Sequence, residues 1–271
     1  MTDGPTVSVI VVALNARDDV VRCLSSLRGT RLAHETIVVD DGSVDGTPAA
    51  VRSAFPEARL IAKSRNEGLV AGRNSAVDVA RGRLVLMLDA DTEVRPGAVE
   101  ALAEVLDRAP SVGLVGPRLV YPDGRLQLSC RRFPTVSLPW WRRSPLALLD
   151  DNPRVNRHHL MQDWSHDHER PVVWVAGAAQ MWRRELAEHL GPYDRRLSSY
   201  GGEDIDWCLR VWRAGLAVHY VPEAEVVHVF QRVTRRRKYR RESVRALRDY
   251  YYLQWKHRGL RRAPILREAQ A

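Results

Sequence analysis

The regular alternation of apolar, β-branched runs with segments of helical period constrains this chain more than any other feature. "VSVIVVAL" (Val7 to Leu14) holds one polar residue, Ser8, as expected of a strand buried on both faces. Asn15 stands where it can cap a helix, and Val20, Leu24 and Leu27 follow at helical spacing. "ETIVVD" (Glu35 to Asp40) reads as a second strand. It runs into the turn-rich "DDGSVDGTP", where Thr47 as cap and Pro48 in the first turn open the next helix. "ARLIAK" (Ala58 to Lys63) is a third strand, and "NEGLVAGRNSAVDVARG" is a loop entering a helix that ends near Gly82. "RLVLMLDAD" is the fourth. Pro96 opens a helix with Val99, Leu102 and Leu106 on one face, and "VGLVGPRLV" (Val112 to Val120) is the fifth strand. Strands that alternate with helices need crossover connections. The expectation is an α/β fold: a mainly parallel central sheet with helices on both faces. At 271 residues, 45% of them hydrophobic, the chain supports one sizeable core with appendages.

The segment from Tyr121 to Pro171 breaks this rhythm. It is rich in Pro, Arg, His and Trp and reads as an insertion of loops and short elements. Regularity returns with "VVWVAGAAQMW" (Val172 to Trp182), a predicted strand. In "GGEDIDWCLRVWRAG", Ile205, Leu209 and Trp212 fall on one face of a helix that starts near Glu203. "AVHYVPEAEVVHVF" predicts two short strands around Pro222. "RESVRALRDYYYLQWKHRG" predicts a C-terminal helix with Val244, Leu247, Tyr251 and Trp255 on one face among basic residues. There is no internal repeat. The boundaries read from the sequence are 1–230 for the main domain, divided into 1–120 and 121–230, with 231–271 as a basic, amphipathic helical extension.

Net charge is +9 and the pI about 9.9, with much of the surplus between Gln231 and Arg248. Such a run is a solvated face or a surface for phosphate-rich partners. Cys23, Cys130 and Cys208 have neither disulfide-framework nor zinc-site spacing, and fit a reducing compartment. The N-terminus lacks a basic leader and no apolar run is long enough to span a bilayer. The expected location is therefore cytoplasmic, or peripheral on the inner face of the cell membrane.

Asp40, Asp41, Asp89 and Asp91 all fall at the carboxyl ends of predicted strands, where open α/β sheets bind ligands. Asp89 and Asp91, one residue apart, suit a hard divalent cation, Mg²⁺ or Mn²⁺, that neutralises a diphosphate leaving group. A solvated turn is the competing explanation, weakened by the strand immediately before it. "DDGS" alone is a weak signal, but a carboxylate there can accept from a base N–H. Glu203, Asp204 and Asp206 open a helix. Acids favour that position through the helix dipole, and a general base is the functional alternative. His228 in "EVVHVF" reads as either a core histidine or a third metal ligand.

In this order, "VSVIVVALN", "VVDDGSVDGT", "NEGLVAGRN", "LMLDADTEV", "WVAGAAQMWRRE", "YGGEDIDWCLR" and "YVPEAEVVHV" resemble the inverting glycosyltransferase family 2, with its GT-A fold. "RRFPT" and "DWSHD" resemble its rhamnosyltransferase and galactofuranosyltransferase-like branch. The resemblance implies that Asp89, Ala90 and Asp91 form the D-x-D motif holding metal and donor diphosphate, with His228 as a further metal ligand. It places Asp40 and Asp41 at base or ribose, and Asn15, Asn66, Gly68, Arg73 and Asn74 on the donor side. It makes Asp204 the catalytic base with Glu203 holding the acceptor, and lines the sugar and acceptor pocket with Trp174, Gly177 and Ala178. The implied reaction moves a sugar, rhamnose first, from a dTDP- or UDP-linked donor to a hydroxyl of a saccharide or lipid-linked glycan. Gly202 lengthens the usual Y-G-E-D, and Gln180 and Met181 replace a common apolar pair.

A sugar nucleotidyltransferase is disfavoured because no glycine cluster follows the first strand. A catalytically inactive sugar-nucleotide-binding relative is disfavoured by the intact Asp89, Asp91 and Asp204. The tail, with Tyr250, Tyr251, Tyr252 and Trp255 among cations, could stack nucleic-acid bases or lie on an anionic membrane. A lipid-linked acceptor would call for membrane contact, a docked and solvated helix is the competing explanation, and nucleic acid is not expected. "PWWRR" (Pro139 to Arg143) is a candidate second contact.

Overall fold

The computed structural model describes residues 4–133, 154–197, 202–229 and 240–270. "PWWRR" and much of the basic run before residue 240 lie outside them. The strands are β1 (Val7–Ala13), β2 (His34–Asp40), β3 (Arg59–Ala62), β4 (Leu84–Asp89), β5 (Thr92–Val94), β6 (Val112–Val120), β7 (Leu126–Gln127), β8 (Cys130–Arg131), β9 (Arg170–Pro171), β10 (Trp174–Val175), β11 (Ala179–Arg183) and β12 (Ala217–His228). The helices are α1 (Arg17–Ser26), α2 (Thr47–Ala54), α3 (Leu69–Val77), α4 (Ala98–Arg108), α5 (Arg154–His159), α6 (Glu185–Leu190), α7 (Glu203–Arg213), α8 (Arg240–Lys256) and α9 (Arg267–Gln270).

The main sheet has the order β3-β2-β1-β4-β11-β6-β12-β5. β3, β2, β1 and β4 are mutually parallel, and β12 is parallel to β6. Between the two groups β11 runs antiparallel to both β4 and β6. The β-branched runs are buried on both faces. Ile10, Val85 and Met87 join one apolar cluster, while their neighbours Val9, Val11, Leu86 and Leu88 join the other. The second cluster is covered by α1, α2 and α4 through Val20, Leu24, Val51, Leu102 and Leu106. The first is covered by α3, α6, α7 and α8 through Val70, Leu186, Ile205, Leu209 and Leu253. Each fully buried Val, Leu or Ile side chain contributes about 1.5–3 kcal/mol. The three cysteines are buried and unpaired.

Several expectations are corrected. Val172 to Trp182 is not one strand. β10 leaves the main sheet to pair with β8, and the chain turns at Ala176–Ala178 before β11 begins. The turn arises because the Ala176 N–H donates to the Ser129 carbonyl and the Gly177 N–H to the Asp204 carboxylate, so neither serves the sheet. Conversely, Ala217 to His228 is a single strand. It absorbs Pro222 in a register shift between Val221 and Glu225, where the missing N–H falls outside the ladder. Asn15 does not cap α1. It adopts φ +50° and its side-chain carbonyl accepts from the Val44 N–H, while Thr47 Oγ1 and Asp45 accept from the Ala16 and Arg17 N–H groups. Thr47 lies inside α2 behind the left-handed Gly46, α4 starts at Ala98 after Gly97, and α3 ends at Val77, five residues before Gly82. α8 turns Asp249 and Leu253 inward, with His257 just after it also buried, and leaves Val244 69% and Trp255 62% exposed. Among the described residues no helix is long and apolar enough to cross a membrane.

Candidate active site

The carboxyl ends of β1, β2 and β4 open on one side of the sheet, and the turn at Ala176–Ala178 and the start of α7 close over them. β4 delivers Asp89, whose backbone N–H donates to the Ala178 carbonyl at 2.9 Å. Two residues later Asp91 sits just before β5, and β5 pairs with β12 so that Thr92 lies opposite His228. This strand pairing is what brings His228, distant in sequence, to the two acids. One ligand atom each from Asp89, Asp91 and His228 all lie within 4.8 Å of one another, with His228 Nε2 3.5 Å from Asp91 Oδ1. Two carboxylate oxygens and one imidazole nitrogen suit Mn²⁺ or Mg²⁺ with coordination positions left for water and phosphate. Enclosure by protein raises the Asp89 carboxyl above its ordinary range, against the pull of Arg73 and His228. Burial works against a charged His228 ring, but the Asp91 hydrogen bond and the Asp89 charge outweigh it and raise its pKa, so a cation binding here would displace the Nε2 proton.

α7 delivers the second group of acids. Glu203 and Asp204 are 2% and 4% exposed at the helix start. Asp204 Oδ2 accepts from the Gly177 N–H at 2.8 Å and Oδ1 from the Ile205 N–H at 2.7 Å. A side chain at position 177 would collide with it, because a Cβ there lies 2.8 Å from the Asp204 Cβ. Burial raises the pKa of both Glu203 and Asp204, with Arg73 opposing in each case. A carboxylate held above its ordinary range, yet fixed by two N–H donors, has the character of a general base.

Arg73 links the two groups. Only 1% exposed, it donates from Nη1 to Glu203 Oε1 at 2.9 Å, and from Nη2 to Asp89 Oδ1 at 3.3 Å and the Gly177 carbonyl at 3.1 Å. Its guanidinium thus stands behind the acids, holding them, with Tyr193 packed against it. Asn74, expected on the donor side, uses both ends of its amide on the Tyr193 peptide.

On the nucleotide side, Asp41 takes the Glu67 and Gly68 N–H groups at 3.0 and 2.8 Å, fixing the entry to α3. Asp40 Oδ2 accepts from Gly42 and Ser43, while its Oδ1 is buried with no protein partner among the described residues. Gly42 has φ +85° and passes so close to Arg65 and Asn66 that a Cβ would come within 2.8 Å of the Asn66 nitrogen. Asn66 is exposed beside it, and Ala90 is half-buried between the two metal-site acids. Gly177 and Ala178 stand at the site. Trp174 is buried between Arg131 and His159, three residues before it. Sequence reasoning missed Gln127 and Tyr193, each an isolated polar group in a region without periodicity.

The family model for glycosyl transferase family 2 matches residues 8–165. The chain belongs to glycosyltransferase family 2. This family 2 chain is 29% identical, over 98% of its length and 89% of the relative's, to an N-acetylglucosaminyl-diphospho-decaprenol L-rhamnosyltransferase of Mycobacterium tuberculosis. Its fold resembles the mannosyltransferase PcManGT of Pyrobaculum calidifontis, solved with GDP-Man and Mn²⁺, at TM-score 0.64 and 22% identity, covering 99% of this chain and 69% of that one. It also resembles GalNAc-T7, solved with UDP, GalNAc and Mn²⁺, at TM-score 0.62 and 17% identity, covering 96% and 52%. The glycosyltransferase has the GT-A fold, with a C-terminal helix packed on it.

Proposed function

We propose that this glycosyltransferase moves a rhamnosyl residue, with inversion, from a nucleoside-diphosphate donor, dTDP-linked before UDP-linked, to a hydroxyl of a lipid-linked glycan. The observation that carries the reading is the pair of acid groups joined by Arg73. Asp89 and Asp91 face a diphosphate-sized problem of charge, and Asp204 is a fixed, buried base. Residues 1–120 supply the donor side and 121–230 most of the acceptor side. Asp89, Asp91 and His228 would hold Mn²⁺ or Mg²⁺, which supplies charge neutralisation for the leaving diphosphate. Asp40 orients the base. Asp204 removes the proton from the acceptor hydroxyl as that oxygen attacks the anomeric carbon from the side opposite the diphosphate. Arg73 holds Glu203, Asp89 and the Gly177 peptide in register, so it acts on the leaving group through Asp89. The choice of rhamnose and of a lipid-diphosphate acceptor rests on likeness to the mycobacterial relative along nearly the whole chain.

The outward stripe of α8 supports a peripheral membrane contact. Val244 and Trp255 are exposed, the Arg258 guanidinium lies over the Trp255 ring, and a cavity of about 500 Å³ is lined by Arg213, Trp255, Lys256, Arg258 and Gly259. A tryptophan flanked by cations suits an anionic headgroup layer.

The test is a screen of nucleoside-diphosphate sugars with Mn²⁺ or Mg²⁺, reading released diphosphate, for the wild type and Asp91→Asn. One donor turned over, lost with chelator and in the variant, is the expected result. Turnover unchanged in Asp91→Asn overturns the donor-site reading.

A further inference from the structure

Gln127 on β7 has no part in the chemistry above, yet it is 7% exposed and directly behind the metal-site histidine. Its Oε1 lies 2.6 Å from His228 Nδ1, while His228 Nε2 points to Asp91. Its own amide nitrogen is buried with no partner among the described residues. Among the described residues its side chain makes one hydrogen bond, and that bond meets the ring nitrogen of His228 that faces away from Asp91. β7 is two residues long and pairs with β6 beside β12, so its main chain holds the side chain at this spot.

We propose that Gln127 is a positioning residue of the metal site, its side-chain carbonyl accepting the His228 Nδ1–H and so leaving the Nε2 lone pair toward Asp91 for a divalent cation. A neutral imidazole has one N–H and one lone pair, and the hydrogen bond at one nitrogen decides which atom is free to ligate. The nearest physical alternative is the reverse bond, in which the Gln127 amide donates to Nδ1 and a proton sits on Nε2. That arrangement would oppose metal binding.

The inference rests on the metal reading of Asp89, Asp91 and His228, and the experiment separates the two. The probe is Mn²⁺ itself, titrated with saturating dTDP or UDP and followed by loss of the free-ion EPR signal, so the readout is binding and not turnover. Gln127→Leu should weaken Mn²⁺ binding about 10- to 100-fold, the range typical of outer-shell partners of a ligating histidine. Gln127→Glu, isosteric and still an acceptor, should bind Mn²⁺ at least as well as the wild type. It remains informative if the leucine variant does not fold. In a His228→Ala background Gln127→Leu should add no further loss, since it acts only through the ring. Wild-type affinity in Gln127→Leu, a tenfold loss in Gln127→Glu, or additive losses with His228→Ala would each overturn the assignment of Gln127. Failure of the wild-type protein to bind Mn²⁺ would overturn the metal reading itself.

Discussion

In the proposed reaction Asp204 is the residue on which the chemistry turns. Asp204→Asn keeps the shape and the hydrogen bond from Gly177 but cannot take a proton. Turnover should fall about 10²- to 10⁴-fold while donor binding, read by nucleotide-induced thermal shift, stays near that of the wild type. Gly177→Ala makes the complementary point. Its methyl group would press on the Asp204 Cβ at 2.8 Å, so kcat should fall more than donor KM rises. The pH dependence follows from burial. The base works only when ionised, and burial raises the Asp204 pKa, so the ascending limb of kcat against pH should lie above the ordinary aspartate range. An ascending limb at the value of an exposed aspartate would contradict this role. At this scale the sequence was informative where a residue type is rare in its setting, as with two acids closing an apolar strand. It was silent on Gln127, one amide in an irregular stretch, and on the protein partners of Arg73 and Asn74. Arg73 spans from Asp89 to Glu203, and Asn74 holds the Tyr193 backbone, contacts made across the fold that a motif does not show.

Among the elements, the contact between α7 and α8 offers the sharpest test. Asp206, fully buried two residues after Asp204, meets Lys256 at the end of α8 and His257 just after it at 2.8 Å each, and Arg210 of its own helix at 3.0 Å. Removing one member of a buried charge cluster leaves the others unpaired, so Asp206→Ala should destabilise by about 3–5 kcal/mol in urea unfolding. Asp194 beside it shows the acid side of the same junction. Burial alone would raise its pKa, but Lys256, the Arg196 N–H and the Tyr252 hydroxyl lower it to about 2. A folded-state pKa below the unfolded one means this stabilisation is complete above about pH 4 and is lost as pH falls toward 2, a loss that Asp194→Asn should abolish in acid-unfolding curves. The parallel strands were legible because burial on both faces leaves an unbroken apolar run. The segment Val172 to Trp182 was not, since an equally apolar run hides a turn made by hydrogen bonds to Ser129 and Asp204. The orientation of α8 was equally hidden: both of its stripes carry large side chains, and only the partner Asp206 decides which one faces inward.

For the molecule as a whole, the charge is unevenly placed. Residues 231–271 hold 14 of the 42 basic residues and 3 of the 33 acidic ones, a net +11 against +9 for the entire chain. The remainder is slightly acidic, so attraction to an anionic bilayer is concentrated in the tail. Trp255→Ala with Arg258→Ala should reduce pelleting with phosphatidylglycerol vesicles while leaving turnover of a soluble acceptor analogue intact. Equal pelleting by the double variant would sink the stripe as a membrane contact. Removing the tail entirely is a different experiment, because Leu253, Leu260 and Leu266 belong to the same buried cluster as Ile205 and Leu209.

The placement of β11 has a consequence for how the chain is made. As the protein is synthesised, β1 to β4 can pair as they emerge, each joined to its neighbours by a local crossover. β6 cannot join them directly, because the place beside β4 belongs to β11, which ends at Arg183 and bridges β4 to β6. Until then the growing sheet carries a raw edge at β4, apolar and ready to pair with the wrong chain. A fragment stopped at residue 165, where the family match ends, would be left in that condition permanently. Such a fragment should emerge from the ribosome into aggregates, while one carried on past α7 and the tail should not.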